Sequence, residues 1–323
     1  MNINHIYLAG VLFLLAFVSC TTHDDSISTV GFVDAFEDAT ISQARDGFVD
    51  ALKDNGYSEE DNTIRIIYKN AQGDIPTLTQ IVNYFVSEKV DLIASNTTLS
   101  TITAIQRAKD IPIFMMVSPE PEKMAVINNL GEVPTNLFGV FETLAYIDTS
   151  VSLIPKFIKP KGNQIVIGMV YNQAEPQSQD ALKQVETIAK KLSMRVKAMP
   201  INSSADAQLV TQSLLNQGID VFFANPDNTV FASFETILKN CNQKGVPVFT
   251  SEAGLVKRGA VAAYGADIYQ WGYQAGEQAV QFLESGNTDG LTVEQVKLRK
   301  RVYNPDVAEH YNLELTDNFE RIE

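Results

Sequence analysis

The feature that most constrains this 323-residue chain is that its pattern of apolar runs and helical stretches is written twice. In the first half, "STVGFV" leads into a helix around "ISQARDGFVDALKDNG", where Ile41, Ala44, Phe48, Ala51 and Leu52 recur at helical spacing. "TIRIIYKNA", a helix from Pro76 to Lys89, "VDLIASN", a helix through Ala108 and "IPIFMMV" follow. The series restarts at Gln164 with "QIVIGMVYN", a helix over Ser178 to Leu192, "MRVKAMPI", a helix over Ala205 to Gln217, "IDVFFAN", another helix and "VPVFTSE". The correspondence reaches individual residues. "VDALKDN" at 49–55 answers "QDALKQV" at 179–185, "VDLIASN" at 90–96 answers "IDVFFAN" at 219–225, and "IPIF" at 111–114 answers "VPVF" at 246–249. Asp50 and Asp91 lie 41 positions apart, Asp180 and Asp220 40. Strand-length apolar runs alternating with helices imply parallel sheets covered by helices on both faces. The expected fold is α/β, with two similar Rossmann-like lobes.

The segments outside the repeat join the lobes. "NLFGVFE" (136–142) reads as a strand, followed by a helix over Thr143 to Phe157 and a surface connection "IPKFIKPKGN". "GAVAAYGAD" reads as a strand, "IYQWGYQAGEQAVQFLESG" as a helix closed by Gly286, and "EQVKLRKRVYN" as one last strand before a short helix. The chain is thus expected to cross between lobes near 142, 267 and 290, forming a multi-strand hinge that permits closure. One lobe would comprise 27–141 with 267–293, the other 142–266 with 294–323.

Residues 1–19 hold no acidic residue and an apolar core from Ile6 to Val18, the pattern of a signal peptide. Ser19 before Cys20 resembles a bacterial lipobox, with Phe17 where leucine is usual and no Lys or Arg ahead of the core. The reading is lipidation at Cys20 and a tether over 20–28, anchoring an exported protein at the cell envelope, on the periplasmic face or the cell surface. Cys241 then has no disulfide partner and reads as a small buried residue. A net charge of −14 argues against nucleic acid and against an anionic membrane surface as partners, and a monomer is expected.

Ligands of open α/β sheets gather beyond the carboxyl ends of the strands, beside helix N-termini. Those ends supply Asp34 and Phe36 ("DAFED"), Asn96, Thr97 and Thr98 ("SNTTLS"), Ser118 ("SPEPE") and Tyr171 ("YNQAE"). In the second half they supply Asn225, Asp227, Asn228 and Thr229 ("NPDNT"), Ser251 and Glu252 ("SEAG") and Asp267 ("GAD"). Short polar groups beside free helix amides suit a small molecule carrying carboxylate and ammonium. Helix capping competes with this reading at each position: Asn96 to Thr98 can cap the next helix, and Asn225 can cap with Pro226 at the first helical position. Capping does not account for Asp267 or Glu252. No catalytic, metal or cofactor site emerges. His5, His23 and His310 give no triad base, no Cys/His group has zinc spacing, and no phosphate-binding glycine loop is present. The chain therefore reads as a binding protein, not an enzyme.

"ARDGFVDALKDNGY", "NAQGD", "VSEKVDLIA", "GMVYN", "DNTV", "VPVFTSEAGLVKRGAVAAYGADIYQWG" and the closing "VYN" resemble, in order, the ABC transporter substrate-binding proteins of the tryptophan/tyrosine type. The resemblance covers roughly Thr29 to Leu315 and is most specific in "DNTV" and in the block from Ser251 to Gly272. It implies a type I periplasmic-binding fold, with an amino acid, most often aromatic, held between the lobes and delivered to a membrane permease. It also implies that Asp227, Asn228, Thr229, Ser251 and Glu252 line the second lobe's wall, with Asp267 at the crossing. The helix start at Asn96 to Thr98 would take the ligand carboxylate, and Asp227 or Asp267 the ammonium. Phe36, Tyr171, Tyr264 and Tyr269 are candidates for stacking on an aromatic ligand. "SPEPEKM" departs from the family where relatives read like "TDP". Alternatives are a ligand-sensing receptor for a membrane signalling partner, a nucleoside or sugar ligand, and an exported hydrolase.

Overall fold

The computed structural model describes residues 27–315 and 318–322; the signal segment, Cys20 and the tether up to 26 lie outside the described residues. The first half alternates β1 (Ser28–Asp34), α1 (Ser42–Asp54), β2 (Ile64–Asn70), α2 (Ile75–Glu88), β3 (Leu92–Asn96), α3 (Thr98–Arg107), β4 (Ile113–Pro119) and β5 (Leu137–Glu142). The second contributes α4 (Tyr146–Phe157), β6 (Val166–Asn172), α5 (Pro176–Lys191), β7 (Arg195–Ile201), α6 (Ala207–Asn216), β8 (Val221–Ala224), α7 (Asn228–Ala232), α8 (Phe234–Gln243), β9 (Val248–Thr250), α9 (Ala253–Lys257) and β10 (Ala262–Ala266). α10 (Ile268–Ser285), β11 (Val293–Gln295), β12 (Arg299–Tyr303), α11 (Pro305–His310) and β13 (Glu320–Arg321) complete the described chain.

The strands form two sheets, ordered β11-β5-β4-β3-β1-β2 and β13-β12-β10-β9-β8-β6-β7. Pairing is parallel except between β10 and β12. The central strands are near-continuously apolar up to their polar carboxyl ends because helices cover both faces. β3 and β8 are buried at every position, and Phe32, Phe114, Phe222 and Phe249 lie in the cores between sheet and helices. The chain passes between the sheets at 143–145, at Asp267 and at 296–298.

The stretch read as a single strand, 293–303, is therefore two. Val293 to Gln295 extends the first sheet beside β5, and Arg299 to Tyr303 joins the second beside β10. The split falls where Lys297 N–H is taken by Gln274 Oε1 at 3.1 Å and Leu298 turns to solvent. The helix expected after β8 is likewise broken at Ser233, whose ψ of 5° separates α7 from α8.

α10 carries the chain from the second lobe onto the first, where it packs along α1 at backbone distance. A Cβ on Gly272 would stand 1.8 Å from the Ala44 carbonyl oxygen, and one on Gly47 2.0 Å from that of Tyr269. Glycine at both positions lets the two helices touch, and the helix that leaves the hinge is held to the lobe it must move with. Gly272→Ala would gain about 1 kcal/mol of helix propensity. It would force a clash with main chain that side-chain rotation cannot relieve, an overpacking of about 1–3 kcal/mol. We expect Gly272→Ala to lower the urea midpoint while Gly162→Ala, which faces open space, leaves it unchanged; equal midpoints would show that the helices have room to separate.

Candidate ligand-binding cleft

The strand ends of the two sheets face each other across a small cleft that is partly open to solvent. Its apolar lining includes Val117, Leu144, Phe231, Ile268 and Trp271; its polar lining includes Thr98, Ser118, Glu142, Tyr146, Gln177 and Glu252. The lobes are closed around it. Arg258 of the second lobe reaches Asp38 at 2.6 Å and Thr40 at 2.9 Å in the first, and its other nitrogens hold Glu235 and the carbonyl of the lining residue Phe231. Lys123 and Asp180 pair across the lobes at 3.2 Å. Ile41, just before α1, is buried in the second lobe's core.

The first-lobe wall is built on backbone strain. Thr97 has φ 80° and ψ 161°, and Val117 has φ 49°, conformations hostile to β-branched residues. Each costs on the order of 1–3 kcal/mol and persists only where the surroundings enforce it. The enforcement is visible: Thr97 N–H donates to Met116 O at 3.0 Å, and β4 shifts register against β5 between Met115 and Ser118. The outcome is that Thr98 opens α3 at the cavity with its hydroxyl buried and unpartnered. The first amides of α3 have no carbonyl partner within the helix.

The second-lobe wall packs carboxyl groups against helix starts. Asp227 caps α7 by accepting from Val230 N at 2.9 Å, and its other oxygen accepts from Asn172 N at 2.7 Å and from the Ser178 hydroxyl. Glu175 accepts from Asn228 N (3.2 Å), Asn228 Nδ2 (2.8 Å), Gln177 Nε2 (2.6 Å) and Thr229 Oγ1 (3.2 Å). Burial pushes both carboxyls above the usual range, and the Asp227 charge raises Glu175 further. Toward the hinge, Glu142 is paired with Arg299 through two contacts, at 2.8 and 2.7 Å. Glu252 accepts from Tyr146 OH at 2.9 Å with one oxygen and has no partner for the other. Burial, with the Glu142 charge adding to it, pushes the Glu252 carboxyl up to about 8. Trp271 is fixed in the wall by Nε1 donating to Val140 O at 2.8 Å.

Of the residues singled out in the sequence, Thr98, Ser118, Asp227, Asn228 and Glu252 line this cavity. Asp34 and Asn96 instead bind each other at 2.6 Å behind the wall, with Asn96 also reaching Ile41 O. Thr97, Asn225, Thr229 and Ser251 are buried behind it, Asn225 donating to Ser178 Oγ at 3.2 Å. Phe36 packs over Gly73, and Tyr171 lies against the second lobe's core. Arg301 sits over the Tyr264 ring, and Tyr269 OH donates to Asp50. Two capping assignments change. Asp267 does cap a helix, accepting from Gln270 N, and its free oxygen is paired with Lys300 at 2.6 Å in a separate depression. The cap of α7 is Asp227 and not Asn225, since the helix starts two residues later than Pro226 would place it. Glu142, Leu144, Tyr146, Gln177, Phe231 and Trp271 were not among the candidates. Glu142, Leu144, Tyr146 and Trp271 cluster at the hinge crossings near 142 and 267, a position readable from the repeat once the crossings are taken as the cavity's floor.

Comparison with known proteins agrees with this architecture. The family model for ABC transporter substrate binding proteins matches residues 29–321. This chain belongs to that family. It is 30% identical over 322 residues to a protein of Clostridioides difficile (strain R20291) named tyrosine-binding protein, covering 96% of this chain and 92% of that protein. A conserved domain protein from Vibrio cholerae O1 biovar El Tor superposes with a TM-score of 0.82 at 29% identity, over 91% of this chain and 99% of that one. A Streptococcus pneumonia ABC domain solved with L-Trp has the same fold, with a TM-score of 0.82 at 21% identity, covering 92% of this chain and 99% of that one. The chain is thus a substrate-binding protein of ABC-transporter type with the type I periplasmic-binding fold. Such proteins bind a small molecule and work with an ABC permease at the periplasm or cell surface.

The buried carboxyls set a pH dependence. Glu252 keeps its proton to about 8 in the folded protein and releases it near the ordinary 4.5 when unfolded. Between these values the folded state binds more protons, so stability falls as pH rises through the window. The melting temperature of the ligand-free protein is expected to drop from pH 5 to pH 8. Glu252→Gln should flatten that drop by at least about 2 °C, the shift that roughly 1 kcal/mol produces in a domain of this size. A variant that melts with an unaltered pH profile would show that Glu252 is already ionised in the empty cleft.

Proposed function

We propose that this protein is the lipid-anchored receptor of an ABC importer, binding an aromatic L-amino acid between its lobes and delivering it to the permease. The observation that carries the reading is the division of one cleft into an aromatic and aliphatic face, with Trp271 and Phe231, and a polar face holding buried groups without partners. A ring satisfies the first face; the second calls for a ligand rich in charged hydrogen-bonding groups. The name of the Clostridioides difficile relative and the L-Trp bound to the Streptococcus pneumonia domain support the same ligand class. The ligand carboxylate sits at the start of α3, where Thr98 and the first-turn amides are donors. Binding works by population shift: groups left unpaired in the empty cleft are satisfied by ligand only when the lobes close on it. Cys20 carries the lipid.

In a thermal-shift panel on the chain from Thr21, tyrosine, tryptophan or phenylalanine at 100 times its dissociation constant should stabilise by about 2.7 kcal/mol. Nucleosides and simple sugars should do nothing; a shift with one of those and none with the aromatic amino acids sinks the ligand class. In cells, Cys20→Ser should move the protein from the membrane fraction to the soluble one, and retention there would rule out the anchor.

A further inference from the structure

The acidic groups at this cleft are not equivalent. Asp227 and Glu175 have every oxygen engaged by donors from the protein, and Glu142 is paired with Arg299. Asp267 lies in a different depression and holds Lys300. Glu252 stands apart: 1% exposed, on the cavity wall, with Oε1 taken by Tyr146 and Oε2 unpartnered. A carboxyl so buried either keeps its proton or needs a cation, and among the described residues the protein pairs none with it.

We propose that Glu252 is the receptor for the ligand's protonated primary amine, and so the residue by which the cleft selects amino acids over deaminated acids bearing the same ring. The inference rests on the aromatic amino-acid reading above, and it moves the ammonium from Asp227 or Asp267 to Glu252. Charge balance gives it a second consequence. Facing Glu252 are Tyr146 from α4, Ser251 beside it and Glu142 at the end of β5, which is paired with Arg299 and still helps hold the proton on Glu252. Asp227, on the α7 side of the same cavity, is satisfied by main-chain and hydroxyl donors. An arriving ammonium therefore displaces the proton of Glu252 itself. Near neutral pH, binding is therefore accompanied by proton release.

The test compares L-tyrosine with 3-(4-hydroxyphenyl)propionate, which lacks only the amine, by calorimetry on wild type and Glu252→Gln. Wild type should prefer tyrosine, and Glu252→Gln should weaken tyrosine about 10- to 100-fold, the scale of a lost charge-assisted hydrogen bond. Its affinity for the deaminated acid should stay the same. Equal losses for both ligands, or no loss for tyrosine, overturn the proposal, as does a Gln177→Ala variant that loses the discrimination while Glu252→Gln keeps it. Wild-type titrations in two buffers of different ionisation enthalpy should show the released proton, a readout that does not depend on any variant folding; its absence also counts against Glu252. If wild type binds no aromatic amino acid at all, the ligand class itself fails, an outcome distinct from a tyrosine-binding protein indifferent to residue 252.

Discussion

Carboxyl groups are buried at the meeting of two lobes in a protein that places few cations there. A carboxylate out of water is unfavourable unless donors or a cation replace its hydration. The second lobe meets this demand with backbone: the starts of α5 and α7 bring amides and hydroxyls to Glu175 and Asp227 until their oxygens are engaged. Arg299, arriving on the last crossing strand, does the same for Glu142. What remains is Glu252, half satisfied by Tyr146. The site is thus the place where internal compensation stops.

That arrangement exists only because the lobes are held in register. The glycine contact between α1 and α10 ties the outgoing hinge helix to the first lobe, while Arg258 spans from Asp38 to the carbonyl of Phe231. Asp38 also accepts from Thr40 and Ile41 N–H in the turn just before α1. One guanidinium consequently joins the start of α1, the lobe interface and the cavity wall. The strain at Thr97 and Val117 belongs to the same economy of fixed geometry: it holds the start of α3 toward the cavity before any ligand arrives.

Much of this was legible in the chain. Parallel strands covered on both faces leave near-continuous apolar runs, so the repeated pattern exposed both sheets, and the match of "VDLIASN" with "IDVFFAN" located the facing strand ends. Thr98, Ser118, Asp227, Asn228 and Glu252, which line the cleft, stand out in the chain because polar residues after a buried strand end are conspicuous. Gln177, Tyr146 and Trp271 were missed because each lies on a helix, where its neighbours in sequence explain it as packing. Asp34 and Asn96 pointed to the cleft in sequence and turned toward each other in space, since two polar side chains on adjacent parallel strands in register are natural partners.

The sequence alone determined that there are two α/β lobes, that the chain crosses between them several times, and which strand ends are polar. These follow from local periodicity and composition, which act over a few residues. Which polar groups are spent on one another and which stay free was decided only by tertiary structure. A carboxyl's state depends on donors brought from distant elements: Tyr146 to Glu252, Arg299 to Glu142, Ser178 to Asp227. No spacing along the chain records those distances, and so Glu252 is distinguishable from its acidic neighbours only once the fold has brought their partners together.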